Sequence, residues 1–387
     1  MVKAIKVMLI PNNVQKTKMF QYAGASRFAY NWALAREIEN YEKGGKFISD
    51  AELRKEFTKL RHSDEYAWLL NISNNVTKQA IKDACTAYKN FFRGLQKFPR
   101  FKSKKRSMPK FYQDNVKIQF SNTHVKLEGF SSSRKANKQK KNWVRLAEHG
   151  RIPTDVKYMN PRISFDGLNW WISVCVEFPD CRETLNDDGV GIDLGIKDLA
   201  ICSDGTKYKN INKSQKVKKL EKQKRRLQRS ISRSYEKNKK GESYCKTNNV
   251  IKKEKLLLKR NHRLTNIRKN YLNQTISEII NRKPRFICIE DLNVSGMMKN
   301  RHLSKAVQEQ GFFWFRKQLE YKCSDKGIQL IVADRFYPSS KLCSCCGNIK
   351  KDLKLSDRVY RCACGNMIDR DFQASINLKT YGEKFAS

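Results

Sequence analysis

The sequence predicts a multidomain chain of α/β and β class: a β-rich first half carrying a block of helices, and a second half built on a mixed sheet. Residues 14–95 keep helical spacing, whereas 110–180 break into short apolar strands. After residue 189 strands and helices alternate, the pattern of an α/β domain. Between the halves lies CRETLNDD (181–188), a polar run that reads as a linker.

Residues 1–10, MVKAIKVMLI, alternate as a strand and stop at Pro11. Phe20, Ala23, Phe28, Trp32 and Leu34 recur at roughly helical intervals over 14–42, and 50–70 predicts more helix. Ser73 is placed to cap a helix with Val76, Ala80, Ile81, Ala84, Tyr88, Phe91 and Phe92 on one side, broken by Gly94 and Pro99. The strands VKIQF, HVKLEG, WVRLA and RISFDGLNWWISVCVEF follow, with Asp166-Gly167 as a turn. Between two of them runs the basic loop SSSRKANKQKK (131–141), expected to be mobile. Residues 1–10 and 110–180 are expected to form one small β-barrel with the helices inserted.

In the second half VGIDLGIKDLAICSDG predicts strand, connection and strand, closed by Asp204-Gly205. Residues 213–280 predict two basic antiparallel helices with NKKGESYCKTNN at their tip. Leu220, Leu227 and Ile231 supply an apolar stripe on the first, and Leu256, Leu258, Leu264, Ile267, Leu272, Ile276 and Ile279 are expected to line the second. RFICIEDL (285–292) and IQLIVAD (328–334) predict strands, with the helix GFFWFRKQLEYKCSDKG between them.

The 387 residues carry 80 Lys+Arg against 38 Asp+Glu, a net charge of +42. Hydrophobic residues make up 39 %, including 20 Phe, 15 Tyr and 6 Trp, enough for real cores, so a disordered basic chain is excluded. The charge excess points to a polyanionic partner. With no 18-residue apolar run, signal peptide or lipidation motif, that partner is expected to be nucleic acid rather than membrane, in the cytoplasm.

Asp193 sits inside the apolar run VGIDLGIKDLAI, flanked by Gly191 and Gly195. An unpaired carboxylate buried there would be costly. Glu290 ends another apolar strand, and Asp371 begins the final helical segment. If the strands lie side by side, the three acids converge on one sheet edge and repel one another unless a hard cation intervenes. Mg²⁺ fits oxygen donors. Two such ions about 4 Å apart can activate water and stabilise the leaving oxygen of a phosphodiester. Asp198, Asp291 and Asp369 are secondary, Asp369 being a possible helix-start residue. The alternative is that each acid makes an ordinary salt bridge.

Five of the twelve cysteines fall within 343–364. Cys343-x₂-Cys346 and Cys362-x-Cys364 can close tetrahedrally round one structural Zn²⁺, with Cys345 spare or replacing Cys346. The scattered cysteines read as small apolar packers. Basic residues interleaved with aromatics in FFRGLQKFPRFKSKKR, including Arg100, Lys102, Lys104 and Lys105, and in 213–240, can grip phosphates while Phe stacks on bases. No Walker A loop or dinucleotide fingerprint is present.

Several stretches resemble TnpB, the transposon-encoded RNA-guided DNA endonuclease family related to type V CRISPR effectors. They are KAIKVMLIPNNVQ, SNNVTKQAIKDACTAYKNFF, FPRFKSKK, PRISFDGLNWWISV, GIDLGIKDLA, ICIEDLNVSGM, PSSKLCSCCG and YRCACGNMIDRDFQASINL. The resemblance implies a RuvC-like, RNase H-type nuclease over 183–387, with the basic hairpin 213–280 and a zinc-finger insertion at 338–366. It implies a β-barrel wedge domain from 1–10 and 96–182, and a helical recognition insertion at 11–95. It places catalysis on Asp193, Glu290 and Asp371. By similarity, Asn75, Lys78 and Gln79 would read the short motif beside the target. The implied partners are a guide RNA derived from the transposon end and double-stranded target DNA, in a bacterial or archaeal, nucleoid-associated setting. The family pattern x-Asn-Ala-Ala after the last acid is replaced here by Phe372, Gln373, Ala374 and Ser375. Some relatives have lost the triad and act as RNA-guided repressors; all three acids are kept here, so cleavage is expected. A miniature type V CRISPR effector would read almost the same.

Overall fold

The computed structural model of the chain describes residues 1–130, 142–179, 182–354 and 357–386. The loop 131–141 and Cys181 lie outside them. The chain divides into two compact units, Met1–Pro179 and Asp180–Ser387.

In the first unit β1 (Val2–Ile10) is the centre of a seven-stranded antiparallel sheet. Its alternation turns Val7 and Leu9 inward and leaves Lys6 outside. Pro11 stops the strand, and α1 (Asn13–Glu42) starts from a reciprocal cap in which the Asn12 and Gln15 side chains each accept the other's backbone N–H. α2 (Asp50–Arg61) and α3 (Asn74–Phe92) follow. Alanines 25, 29, 33, 80 and 84 are fully or almost fully buried, and α1 packs on α3.

The remaining strands are β2 (Lys110–Tyr112), β3 (Gln119–Phe120), β4 (His124–Lys126), β5 (Val144–Leu146), β6 (Tyr158–Phe165) and β7 (Trp170–Glu177). Asp166 accepts the N–H groups of Leu168 and Asn169 in the turn between β6 and β7, where Gly167 takes φ +93°. The sheet order is β2-β6-β7-β1-β5-β4-β3. Among the described residues no ladder joins β2 to β3. β2 packs instead against α1 and α3, and one core runs through helices and sheet.

The second unit has a five-stranded mixed sheet in the order β10-β9-β8-β13-β14. β8 (Val190–Leu194), β9 (Asp198–Cys202) and β10 (Lys207–Lys209) form an antiparallel meander. α4 (Gln215–Lys237) and α5 (Asn248–Asn281) form the basic hairpin, with the short strands β11 (Lys239–Lys240) and β12 (Ser243–Tyr244) at its tip. β13 (Phe286–Glu290) then runs parallel to β8, and β14 (Gln329–Ala333) parallel to β13. Between those two lie α6 (Val294–Lys299), α7 (Ser304–Gln310) and α8 (Phe312–Lys326). β15 (Val359–Arg361) and β16 (Met367–Asp369) pair in the cysteine segment, and α9 (Arg370–Phe385) ends the fold.

The period-two rule divides the sheet's faces. Val190, Ile192, Leu194, Ile287 and Ile289 join the core made with α5 and α8, whereas Phe286 and Cys288 meet α9. Gly191, Asp193 and Glu290 therefore belong to the α9 face. Among the described residues no helix is long and apolar enough to cross a membrane.

Candidate active site and cysteine knuckle

Three elements bring the predicted acids together. β8 and β13 are register neighbours, Cys288 opposite Gly191 and Ile289 opposite Ile192, so the next pair in line is Glu290 and Asp193. α9 lies flush across β8 because Gly191 has no side chain; a Cβ there would overlap the Ser375 carbonyl oxygen and the Lys379 amide nitrogen. This close approach carries the first turn of α9, and with it Asp371, to the acid-bearing end of the strands. Asp369 is the N-cap, accepting the amides of Asp371 and Phe372 at 3.1 and 3.0 Å.

The electrostatics report the convergence. Asp193 is held well above the usual carboxylate range, first by desolvation and then by the charges of Glu290 and Asp371, with Arg370 opposing. Burial likewise raises Glu290; the Ser339 hydroxyl opposes this and Asp371 adds to it. The next residue, Asp291, shows the reverse. It accepts from Arg316 at 2.7 Å and from Arg335 at 2.5 Å, and these two bonds hold its carboxyl below the ordinary value. Adjacent acids on opposite faces thus have opposite fates.

Asp371 accepts two bonds from Arg370, at 2.9 and 3.1 Å, and lies 3.5 Å from Arg358. The carboxylates do not form a group of donor atoms within 4.8 Å of one another; among the described residues the cysteines alone do. Ser339 engages Glu290, and Arg370 and Arg358 engage Asp371. Asp193 and Glu290, whose ionisation is suppressed first by burial and then by neighbouring carboxylates, offer oxygen donors that suit a hard divalent cation.

Cys343, Cys346, Cys362 and Cys364 have all four Sγ atoms within 4.8 Å of one another. The pairs Cys343–Cys364 and Cys346–Cys362 are each 3.6 Å apart, too long for a disulfide and right for ligands round one tetrahedral ion. Gly347 (φ +72°) and Gly365 (φ +88°) turn the two loops. Cys346 belongs to this group and Cys345 does not. Burial opposes ionisation of Cys343, but the Cys346 amide and the Asn366 side chain prevail and bring its thiol down to about 6.

The residues expected to touch nucleic acid divide. Lys78, Arg100, Lys104 and Lys105 are exposed. Asn75 and Gln79 donate to acids of their own unit, Glu128 at 3.3 Å and Asp83 at 2.9 Å. Lys102 turns inward: its backbone exchanges two bonds with Asn31, its Nζ lies 3.0 Å from the Tyr30 ring centroid, and burial lowers its pKa to about 7. Sequence reasoning missed Ser339, Arg358 and Arg370. Ser339 and Arg370 lie inside recognised motifs, but nothing in their spacing announces their partners.

Three family profiles match the chain: "Helix-turn-helix domain" over residues 1–46, "Probable transposase" over 173–301, and "Cas12f1-like, TNB domain" over 312–378. The first covers β1 and the single long helix α1. InsQ of Escherichia coli, named as an RNA-guided DNA endonuclease, is 31 % identical over 93 % of this chain and 87 % of its own length. The chain belongs to the TnpB family. A member from Streptomyces pristinaespiralis, also named as an RNA-guided DNA endonuclease, is 29 % identical over 98 % of the chain and 89 % of its own length. The fold is similar to that of Cas12f1 in its complex with guide RNA and target DNA, with TM-score 0.61 at 13 % identity over 96 % of this chain and 83 % of that one.

Proposed function

We propose that this TnpB-family chain is an RNA-guided endonuclease that hydrolyses phosphodiester bonds of target DNA beside a short adjacent motif. The observation that carries this reading is the placement of Asp193 and Glu290 on one face of paired strands, under the helix that begins with Asp371. The strand order, three antiparallel strands joined to two parallel ones, supports a RuvC-like, RNase H-type nuclease in the second unit. The first unit corresponds to the wedge and recognition parts that hold the guide and its heteroduplex. A cytoplasmic, nucleoid-associated setting fits the net charge of +42.

Asp193, Glu290 and Asp371 would hold Mg²⁺, and the four cysteines Zn²⁺ in a closed structural site. Bound Mg²⁺ would supply Lewis-acid activation of water and charge stabilisation at the leaving 3′ oxygen. The chain's own residues do the rest. β8 and β13 fix two carboxylates in register, Ser339 orients Glu290, and α9 delivers Asp371 with Arg370 and Arg358 beside it. Both arginines offset the charge of Asp371.

The test is cleavage of matched target by the protein purified with its own RNA, in Mg²⁺. Wild type cuts, ribonuclease-treated protein does not, and Asp193→Ala binds guide and target without cutting. Binding without cutting by wild type would establish an RNA-guided repressor instead. Sequencing the copurified RNA shows whether the guide comes from a transposon end.

A further inference from the structure

Between β14 and the cysteines runs a turn, Pro338-Ser339-Ser340-Lys341-Leu342, that touches three things at once. Ser339 is 4 % exposed, and its Oγ donates to Glu290 Oε1 at 2.5 Å. Its carbonyl accepts from Asn377 Nδ2 at 2.7 Å, and the same amide donates to Leu342 at 2.7 Å. Asn377 is 2 % exposed and belongs to α9. One turn above it, buried Gln373 donates to the Leu342 carbonyl at 2.8 Å and accepts from Asn366 at 2.8 Å. Asn366 in turn reaches Cys343 Sγ at 3.4 Å. The chain of contacts is continuous from the thiol cluster to the Glu290 carboxylate.

We infer that Ser339 is a positioning residue for Glu290, and that the cysteine knuckle, through Asn366, Gln373 and Asn377, holds it in place. The inference rests on the proposed nuclease site and deepens it. A carboxylate at the end of a strand can rotate, and a cation pair needs it in one orientation. The hydroxyl commits Oε1, and no other hydrogen bond to Glu290 is seen among the described residues. Ser339 cannot itself follow Glu290 away, because Asn377 holds its carbonyl to the helix that carries Asp371. Two of the three acids are thereby set relative to one another by one turn with Ser339 buried at its heart. Partners that orient a metal ligand in this way commonly carry 10–100-fold of affinity or activity. The departure at Gln373 acquires a role here: its longer amide spans Leu342 and Asn366 together.

The test compares Ser339→Thr with Ser339→Val, nearly equal in shape and different in the hydroxyl. Each is titrated calorimetrically with Mn²⁺ in zinc-loaded protein without nucleic acid, and cleavage is measured in parallel. Thr should bind Mn²⁺ as wild type; Val should bind about tenfold more weakly and cut correspondingly slower, with guide and target binding unchanged. Equal behaviour of Thr and Val would overturn the inference, since packing alone would move both alike. Asn366→Ala examines the link to the knuckle: zinc content stays at one per chain while Mn²⁺ affinity falls severalfold, and unchanged Mn²⁺ affinity would sever that link. Asp193→Asn is the reference. If it too binds Mn²⁺ as wild type, the acidic site itself is wrong; if only the serine variants are silent, Ser339 alone is.

Discussion

Gly191 in β8 lies directly beneath the backbone of Ser375 in α9, with no space between them for a methyl group. Helix and strand meet through main chain, and this close approach sets where Asp371 begins. Gly191→Ala should therefore cost about 1–3 kcal/mol by overpacking, read as a lower thermal midpoint, and should slow cutting more than it weakens guide binding. Gly24→Ala in α1 provides the contrast. A Cβ there meets nothing within 4 Å, so the substitution should stabilise by about 0.4–1 kcal/mol.

Asp193 and Glu290 both titrate above the ordinary carboxylate range in the metal-free protein. The folded state then binds more protons than the unfolded one, so stability is highest below the ordinary carboxylate pKa and falls as pH rises through the raised values. Metal-free protein should lose thermal stability as pH rises above the ordinary carboxylate range, and Mg²⁺ should restore it. Asp193→Asn should raise the metal-free midpoint at pH 7 by a few degrees, roughly what 1 kcal/mol gives at this size, and should flatten the pH dependence. Thermal scans at two pH values, with and without Mg²⁺, check the sign.

Removal of zinc by a strong chelator should unfold the 343–364 segment. Elemental analysis should give one zinc for wild type and for Cys345→Ser, and none for Cys362→Ser. Retention of zinc by Cys362→Ser would mean a different ligand set.

Lys102 offers an opposite sign. Its pKa is lowered to about 7, mainly by burial. The unfolded chain takes up the proton more readily between about 7 and the ordinary lysine value near 10.4, so this residue makes stability rise with pH across that window. Lys102→Met should raise the midpoint at pH 7 and leave the salt dependence of RNA binding unchanged. Replacing both Lys104 and Lys105 by Ala should instead reduce the slope of log K against log salt by roughly 1 for each phosphate left without its cation. A filter-binding series in salt separates the two.

Much of this was legible in the sequence. The runs around Asp193 and Glu290 were apolar enough to read as strands, and laying those strands side by side was enough to bring their acids to one sheet edge. The cysteine spacing gave the knuckle, and Asp166-Gly167 gave its turn. What escaped were relations between distant positions. Which strands of the first sheet the helices cover is one of them, and local pattern does not record it. Lys102 looked like its exposed neighbours because inward rotation is decided by Asn31 and Tyr30. Ser339 is one of two consecutive serines, and its bond to Glu290 spans 49 residues.

The pairing of β8 with β13 joins segments separated by the whole basic hairpin, and Asp371 comes from an element made still later. Such long-range parallel pairing is slow to form. Until the final helix has been made, the two strand-borne acids therefore lack the third that stands beside them in the finished fold.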